Sequence, residues 1–163
     1  YEFLKPLADV NNLTEEDFVD WGNADNYVKA VGVGECAGVV IDLVATLLLE
    51  AKDKLTFAQE SFAEAKYADA IYHAYAGFVN GAKAILLAED QKTNHHAGII
   101  DLFDTVFVDT NKIVLDSSFK DLVYQINQNK PSEEFAQKYI QEAIAFFENI
   151  ENYRIKDLAN EVS

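Results

Sequence analysis

The sequence predicts an all-α protein, an antiparallel bundle of about five helices. From Ala37 onward, apolar residues recur at steps of three and four along most of the chain, which is the spacing of one face of a helix. Short polar connectors that carry capping residues separate these stretches, and short links favour antiparallel neighbours. The sequence shows no convincing alternation with a period of two, the pattern typical of a half-buried strand.

The composition of the chain changes near residue 35. Residues 1–35 are rich in Asn, Asp and Gly, and Thr14 followed by three acidic residues predicts a short helix that ends near Trp21. The stretch VGVGECAG, residues 31–38, lacks the lysine and the hydroxyl residue of a phosphate-binding loop, so we interpret it as a hinge. We therefore expect an irregular N-terminal segment with one short helix over 1–35 and a helical bundle over 36–163.

The first two helices of the bundle are predicted by their apolar spacing. One extends from Ala37 to near Phe62, and the next from about Tyr67 to Ala88. Small residues share one face of the second helix and predict the close approach of another helix: Ala70, Ala74, Gly77, Gly81 and Ala84.

The later helices are predicted by their starts. Thr93 or Asn94 is expected to cap a helix through HAGIIDLFDTVFV, and Asp116 or Ser117 to cap a shorter helix that ends near NQNK. Pro131, followed by Ser132 and two glutamates, predicts the start of the last helix.

The charge of the chain argues against several classes of partner. There are 28 acidic and 13 basic residues, a net charge of −15, and Arg154 is the one arginine. Such a chain repels phosphate backbones, so we expect neither nucleic acid nor an anionic membrane as a partner. The lone Cys36, the absence of a signal peptide and the absence of an apolar run of membrane-spanning length favour a cytoplasmic protein. The chain contains no methionine, which we interpret as a sign of an excised domain.

The three histidines, His73, His95 and His96, raise the question of a metal site. Adjacent residues on a helix point about 100° apart, and metal-binding helices place their ligands three or four residues apart. The Glu-x-x-His pairs of di-iron bundles are also missing. We therefore interpret His95 and His96 as the start of a helix, with a nucleotide or partner contact and a metal-dependent enzyme as alternatives, and we expect no metal and no catalytic residue.

Residues 55–107 resemble the HEPN superfamily of helical domains. Positions that fit its pattern lie on the second helix and in the turn after it: Tyr67, Ala70, Ile71, Ala74, Tyr75, Lys83, Ala84, Leu86, Thr93 and His95 or His96. Many HEPN domains are ribonucleases with an Arg-x(4–6)-His motif, but no histidine follows Arg154 here. The resemblance thus implies a non-catalytic, usually dimeric helical module. It also implies an alternative, a nucleotide site formed by Lys83, Lys92, His95 and His96.

A second resemblance begins at VGVGECAGVVIDLVATLLLEAKDKL, residues 31–55. Together with the helical body, it is similar to the C-terminal helical extension of some bacterial siroheme nitrite or sulfite reductase-like proteins. It implies an accessory or regulatory domain of such a parent, with siroheme and a [4Fe–4S] cluster held in the parent and no cofactor here. We expect contacts with a second copy or with an upstream domain. The aromatic residues Trp21 and Tyr27 are candidate interface anchors, whereas core filling is favoured for Phe146 and Phe147.

Overall fold

The computed structural model describes residues 33–162, with side chains described over 39–160. The chain divides into two units, Tyr1–Asp42 and Leu43–Ser163, and the first is described only over residues 33–42. Within residues 33–162, five α-helices follow one another: α1 (Val33–Ala63), α2 (Tyr67–Ala88), α3 (His96–Phe103), α4 (Phe119–Val123) and α5 (Glu133–Val162). Over residues 33–162 there is no strand, and the predicted all-α bundle is confirmed. None of the helices in this range combines the length and the apolar character that crossing a bilayer requires.

The helix α1 begins earlier than its apolar pattern predicts. Its first residue is Val33 rather than Ala37, so residues 33–38 of the glycine-rich stretch that we interpreted as a hinge are helical. Residues 1–32, which include the short helix predicted near Thr14, lie outside the described part of the chain.

The small-residue face of α2 is confirmed as a contact face, since all five of its predicted members are buried. A Cβ atom added at Gly77 would lie 2.6 Å from Cδ2 of Leu55 on α1, and one at Gly81 would lie 2.8 Å from Cδ1 of Ile150 on α5. Because both distances are shorter than a carbon–carbon contact, glycine at these positions allows α1 and α5 to pack closely on α2.

Aromatic side chains fill the centre of the bundle. The ring of Phe119 lies 4.5 Å from that of Phe103 and 4.8 Å from that of Phe146, measured between centroids. Phe78 of α2 contacts Phe146 and Tyr139 of α5 at 5.5 Å and 5.2 Å. Phe146 and its neighbour Phe147 are both buried, so they fill the core as favoured and are not available as interface anchors.

Two of the predicted helix caps are wrong by one or two residues. The cap of α3 is His95, whose side chain makes no capping hydrogen bond, rather than Thr93 or Asn94. The cap of α4 is Ser118, whose Oγ accepts a hydrogen bond of 3.0 Å from the Asp121 N–H, rather than Asp116 or Ser117. For α5 the prediction is confirmed, because the Ser132 Oγ accepts a hydrogen bond of 3.1 Å from the Phe135 N–H.

A π-helical turn, Asp104–Val108, continues α3. This turn directs the Asp104 carboxylate to the start of α4, where Oδ1 accepts from the Phe119 N–H at 2.7 Å and Oδ2 from the Lys120 N–H at 3.0 Å. Two of the N–H groups that a helix start leaves without partners are thereby satisfied by a residue 15 positions earlier.

Candidate functional site

The paired histidines lie at the start of α3, as the sequence predicts. His95 is the N-cap residue and His96 the first helical residue, and both are exposed. Nδ1 of His96 lies 3.1 Å from the hydroxyl oxygen of Tyr75 on α2, within hydrogen-bonding distance. The His95 N–H donates to the Thr93 Oγ1 at 3.4 Å. The two histidines therefore differ in role, because His96 joins α3 to α2 whereas His95 faces solvent.

The Tyr75–His96 pair belongs to a row of rings on the outer side of α2. Tyr72 stacks on Tyr75 at 6.4 Å between centroids, and Tyr75 lies 5.8 Å from His96. His73 lies 6.1 Å from Tyr72 and 5.7 Å from Phe57 of α1. We call these five side chains (Phe57, Tyr72, His73, Tyr75 and His96) the α2 aromatic surface.

Part of the α2 aromatic surface is open to solvent. Tyr72 is 61% exposed and Phe57 is 42% exposed, whereas Tyr75 is half-buried, and its burial raises the pKa of its phenol. Nδ1 of His73 is buried and has no hydrogen-bond partner. Exposed rings of this kind give large contact areas at little cost in conformational entropy when a partner covers them.

The other predicted contact residues are Lys83, Lys92, Trp21 and Tyr27. Lys83 is half-buried on α2, eight residues after Tyr75, and therefore roughly 12 Å further along the helix axis. Lys92 is exposed in the connector before α3. Trp21 and Tyr27, the predicted interface anchors, lie outside the described residues. Over the described residues, no three side chains of His, Cys, Asp or Glu come together in a way that would hold a metal ion.

Arg154, the one arginine of the chain, is enclosed in the bundle. Its side chain is 8% exposed, and its Nη1 lies 3.5 Å from Oδ2 of Asp157, three residues later on α5. A phosphate-binding arginine needs its planar fork free to meet the phosphate oxygens. Arg154 directs its charge to a carboxylate of its own helix instead.

Sequence reasoning missed Tyr72 and Phe57, two exposed members of the α2 aromatic surface. The available signal was the pair Tyr72 and Tyr75, which lie three residues apart on α2 and hence on neighbouring positions of its surface. Phe57 could not be added from spacing alone, because its place beside His73 depends on how α1 packs on α2.

This is the class of fold that the sequence predicts. It is a helical bundle in which the second helix presents a face of small residues and ends shortly before the paired histidines. A sequence model of the HEPN domain matches residues 44–158. The chain is also 30% identical over 114 residues to a protein of Methanocaldococcus jannaschii named "Putative toxin"; the match covers 66% of this chain and 85% of that protein. No solved structure matches.

The chain therefore belongs to the HEPN domain family. The resemblance to the helical extension of a siroheme reductase gains no support from these matches.

Proposed function

We propose that this HEPN domain acts by binding another polypeptide and that it has no ribonuclease activity of its own. The observation that carries the proposal is the position of Arg154, which is buried and paired with Asp157. A ribonuclease of the Arg-x(4–6)-His type uses its arginine to bind the scissile phosphate, and removing Arg154 from its carboxylate and from the bundle would cost free energy.

The α2 aromatic surface is the contact region that this proposal favours. Tyr72 and Phe57 expose apolar rings, and aromatic residues dominate interface energies once they are buried. The partner is a second copy of the chain or an upstream domain of the same polypeptide. The more specific hypothesis of a sulfite or nitrite reductase parent is tested by the intact mass and the visible spectrum of the polypeptide purified from its source.

Light scattering and a cleavage assay test the proposal together. We expect the chain to associate above a definite concentration and Tyr72→Ala to weaken that association. Ile155→Ala is the matched control, because it truncates another exposed apolar residue, 63% exposed against 61% for Tyr72. Cleavage of a fluorogenic RNA by the chain, abolished by Arg154→Lys or His96→Ala, would show that the proposal is wrong.

Nucleotide binding is a second candidate function, and the stacked rings of the α2 aromatic surface favour it. The exposed Tyr72 ring stacks on Tyr75, which contacts His96, and a nucleobase can extend such a stack. The positive charges of Lys83 and Lys92 would then serve the phosphates. A bound nucleotide at 100 times its Kd stabilises the fold by about 2.7 kcal/mol. A thermal shift with one nucleotide that Tyr72→Ala removes supports this candidate, and the absence of any shift across a panel contradicts it.

A further inference from the structure

A groove of about 450 Å³ opens on the side of the bundle where the connector before α4 passes α5. Its volume lies within the range of small-molecule sites in proteins, about 300–1,000 Å³. The apolar part of its lining is formed by Val114, Leu115, Leu122, Ala145 and Phe146. None of these residues belongs to the α2 aromatic surface, so the groove is a separate feature of the domain.

The walls of the groove are held in place by contacts within the bundle. Phe146 is 3% exposed and packs on the rings of the aromatic core. The Asn149 side-chain amide donates to the Val114 carbonyl oxygen at 3.2 Å, which ties the connector to α5. The Gln125 amide donates to Oε1 of Glu142 and to the Leu122 carbonyl oxygen, both at 2.9 Å, which ties α4 to α5. A ligand entering such a groove has little protein ordering to offset.

The charged groups that line this groove are all acidic. Asp116, Asp121 and Glu142 contribute carboxylates, and no lysine or arginine is among the lining residues. Outside the lining, Lys138 lies 3.9 Å from Oε2 of Glu142 and donates to Oε1 of Gln125 at 2.8 Å. Over the described residues, neither Asp116 nor Asp121 makes an ion pair.

The three carboxylates surround the apolar lining from different segments. Asp116 lies in the connector, Asp121 in the first turn of α4, and Glu142 on α5. They stand apart rather than converging as ligands of one metal ion do. A cation whose charges are spread along an apolar chain complements both the apolar lining and the separated carboxylates. Its methylene groups cover the apolar lining, while its ammonium groups approach separate carboxylates.

We propose that this groove binds a linear aliphatic polyamine. The ligand class follows from the combination of a partly apolar groove with separated carboxylates in its wall, of which Asp116 and Asp121 make no ion pair among the described residues. Neither feature alone would select it, since an apolar cavity accepts uncharged molecules and exposed carboxylates accept any cation. This site is independent of the partner contact proposed above for the α2 aromatic surface.

Titration calorimetry of the full chain with spermidine tests the assignment. We expect one binding site, and the triple variant Asp116→Asn, Asp121→Asn, Glu142→Gln should bind more weakly by about twofold to fivefold for each carboxylate removed. The matched control is Glu60→Gln, Asp109→Asn, Glu148→Gln, which removes the same number of exposed charges outside the groove. Equal weakening by the two triple variants would overturn the proposal, because spermidine would then respond to the net charge alone.

The variant Ala145→Leu tests the contribution of the groove's volume separately from that of its charges. Ala145 is exposed on α5 and lines the groove, so leucine fills the space without changing the charge, and it is a good helix former. We expect this variant to fold, as judged by circular dichroism, and to lose spermidine binding. Unchanged binding by the variant would overturn the proposal. So would equal binding of the monoamine butylamine or of magnesium chloride at the same concentrations, because neither carries charges along an apolar chain.

Discussion

The hydroxyl oxygen of Tyr75 and Nδ1 of His96 lie 3.1 Å apart, which joins the middle of α2 to the first residue of α3. Their rings are also in contact, with centroids 5.8 Å apart. Both residues lie in the region that resembles the HEPN pattern. In that pattern Tyr75 is a helix-packing residue and His96 belongs to the turn after the second helix. The structure assigns them a shared role, since together they fix the side of the α2 aromatic surface nearest to α3.

A double-mutant cycle measures this pair. Tyr75→Phe and His96→Phe each keep a ring while removing one partner of the hydrogen bond, so the cycle isolates the polar contact from the ring contact. We expect a coupling free energy of about 0.5–1 kcal/mol from urea unfolding of the two single variants and the double variant. Additive changes would show that the hydrogen bond contributes nothing to stability.

The sequence was sufficient to predict the helices with strong apolar patterns. The bounds of α2 match the prediction because apolar and small residues occupy consecutive turns from Tyr67 to Ala88. The start of α5 was predictable from Pro131 and Ser132, whose capping function is local. Such features depend on residues within a few positions of one another, and spacing alone can identify them.

The start of α4 was less predictable because its capping is shared with a distant residue. Ser118 caps the helix from next to it, but the Asp104 carboxylate satisfies two further N–H groups from across the bundle. The groove was unpredictable from the sequence for the same reason, since its carboxylates come from three separate segments. No spacing rule brings such residues together, and only the packing of α4 and of the connector before it on α5 does so.

Asp104→Asn tests the distant cap of α4. An asparagine side chain keeps one carbonyl oxygen, so it can accept from the N–H of Phe119 or of Lys120 but turns an amide group toward the other. We expect a loss of about 1 kcal/mol in the free energy of unfolding, measured with urea. Asp101→Asn is the control, because this exposed carboxylate lies 4.0 Å from Lys120 and should change stability by less than about 0.5 kcal/mol.

The ion pair of Arg154 and Asp157 predicts unequal effects for its two members. Asp157→Ala leaves the buried guanidinium without the carboxylate that lies 3.5 Å from it, and we expect a loss of about 1–3 kcal/mol. Arg154→Met removes the buried charge and keeps much of the apolar volume, so we expect a smaller loss or a gain. Urea unfolding of the two variants decides the order, and a larger loss for Arg154→Met would mean that other contacts of the guanidinium dominate.

The phenol of Tyr139 predicts how stability changes at alkaline pH. Its hydroxyl donates to the Val123 carbonyl oxygen at 2.6 Å, and burial raises its pKa above the ordinary value of 10.0. Above that value the unfolded chain releases the proton while the folded chain keeps it. The free energy of unfolding should therefore fall as the pH rises, by up to about 1.4 kcal/mol per pH unit for this group.

The variant Tyr139→Phe distinguishes the stability that comes from the hydrogen bond of Tyr139 from the effect of ionising its phenol. At about pH 8 this variant should be less stable than the unmodified chain by about 1 kcal/mol, because the Val123 carbonyl oxygen loses its donor. Between about pH 10 and pH 11 its stability should decline less steeply, because it has no phenol to ionise at this position. Tyr72→Phe, at a residue that is 61% exposed, should leave the decline unchanged. An equally steep decline in Tyr139→Phe and the unmodified chain would assign the alkaline sensitivity to other groups.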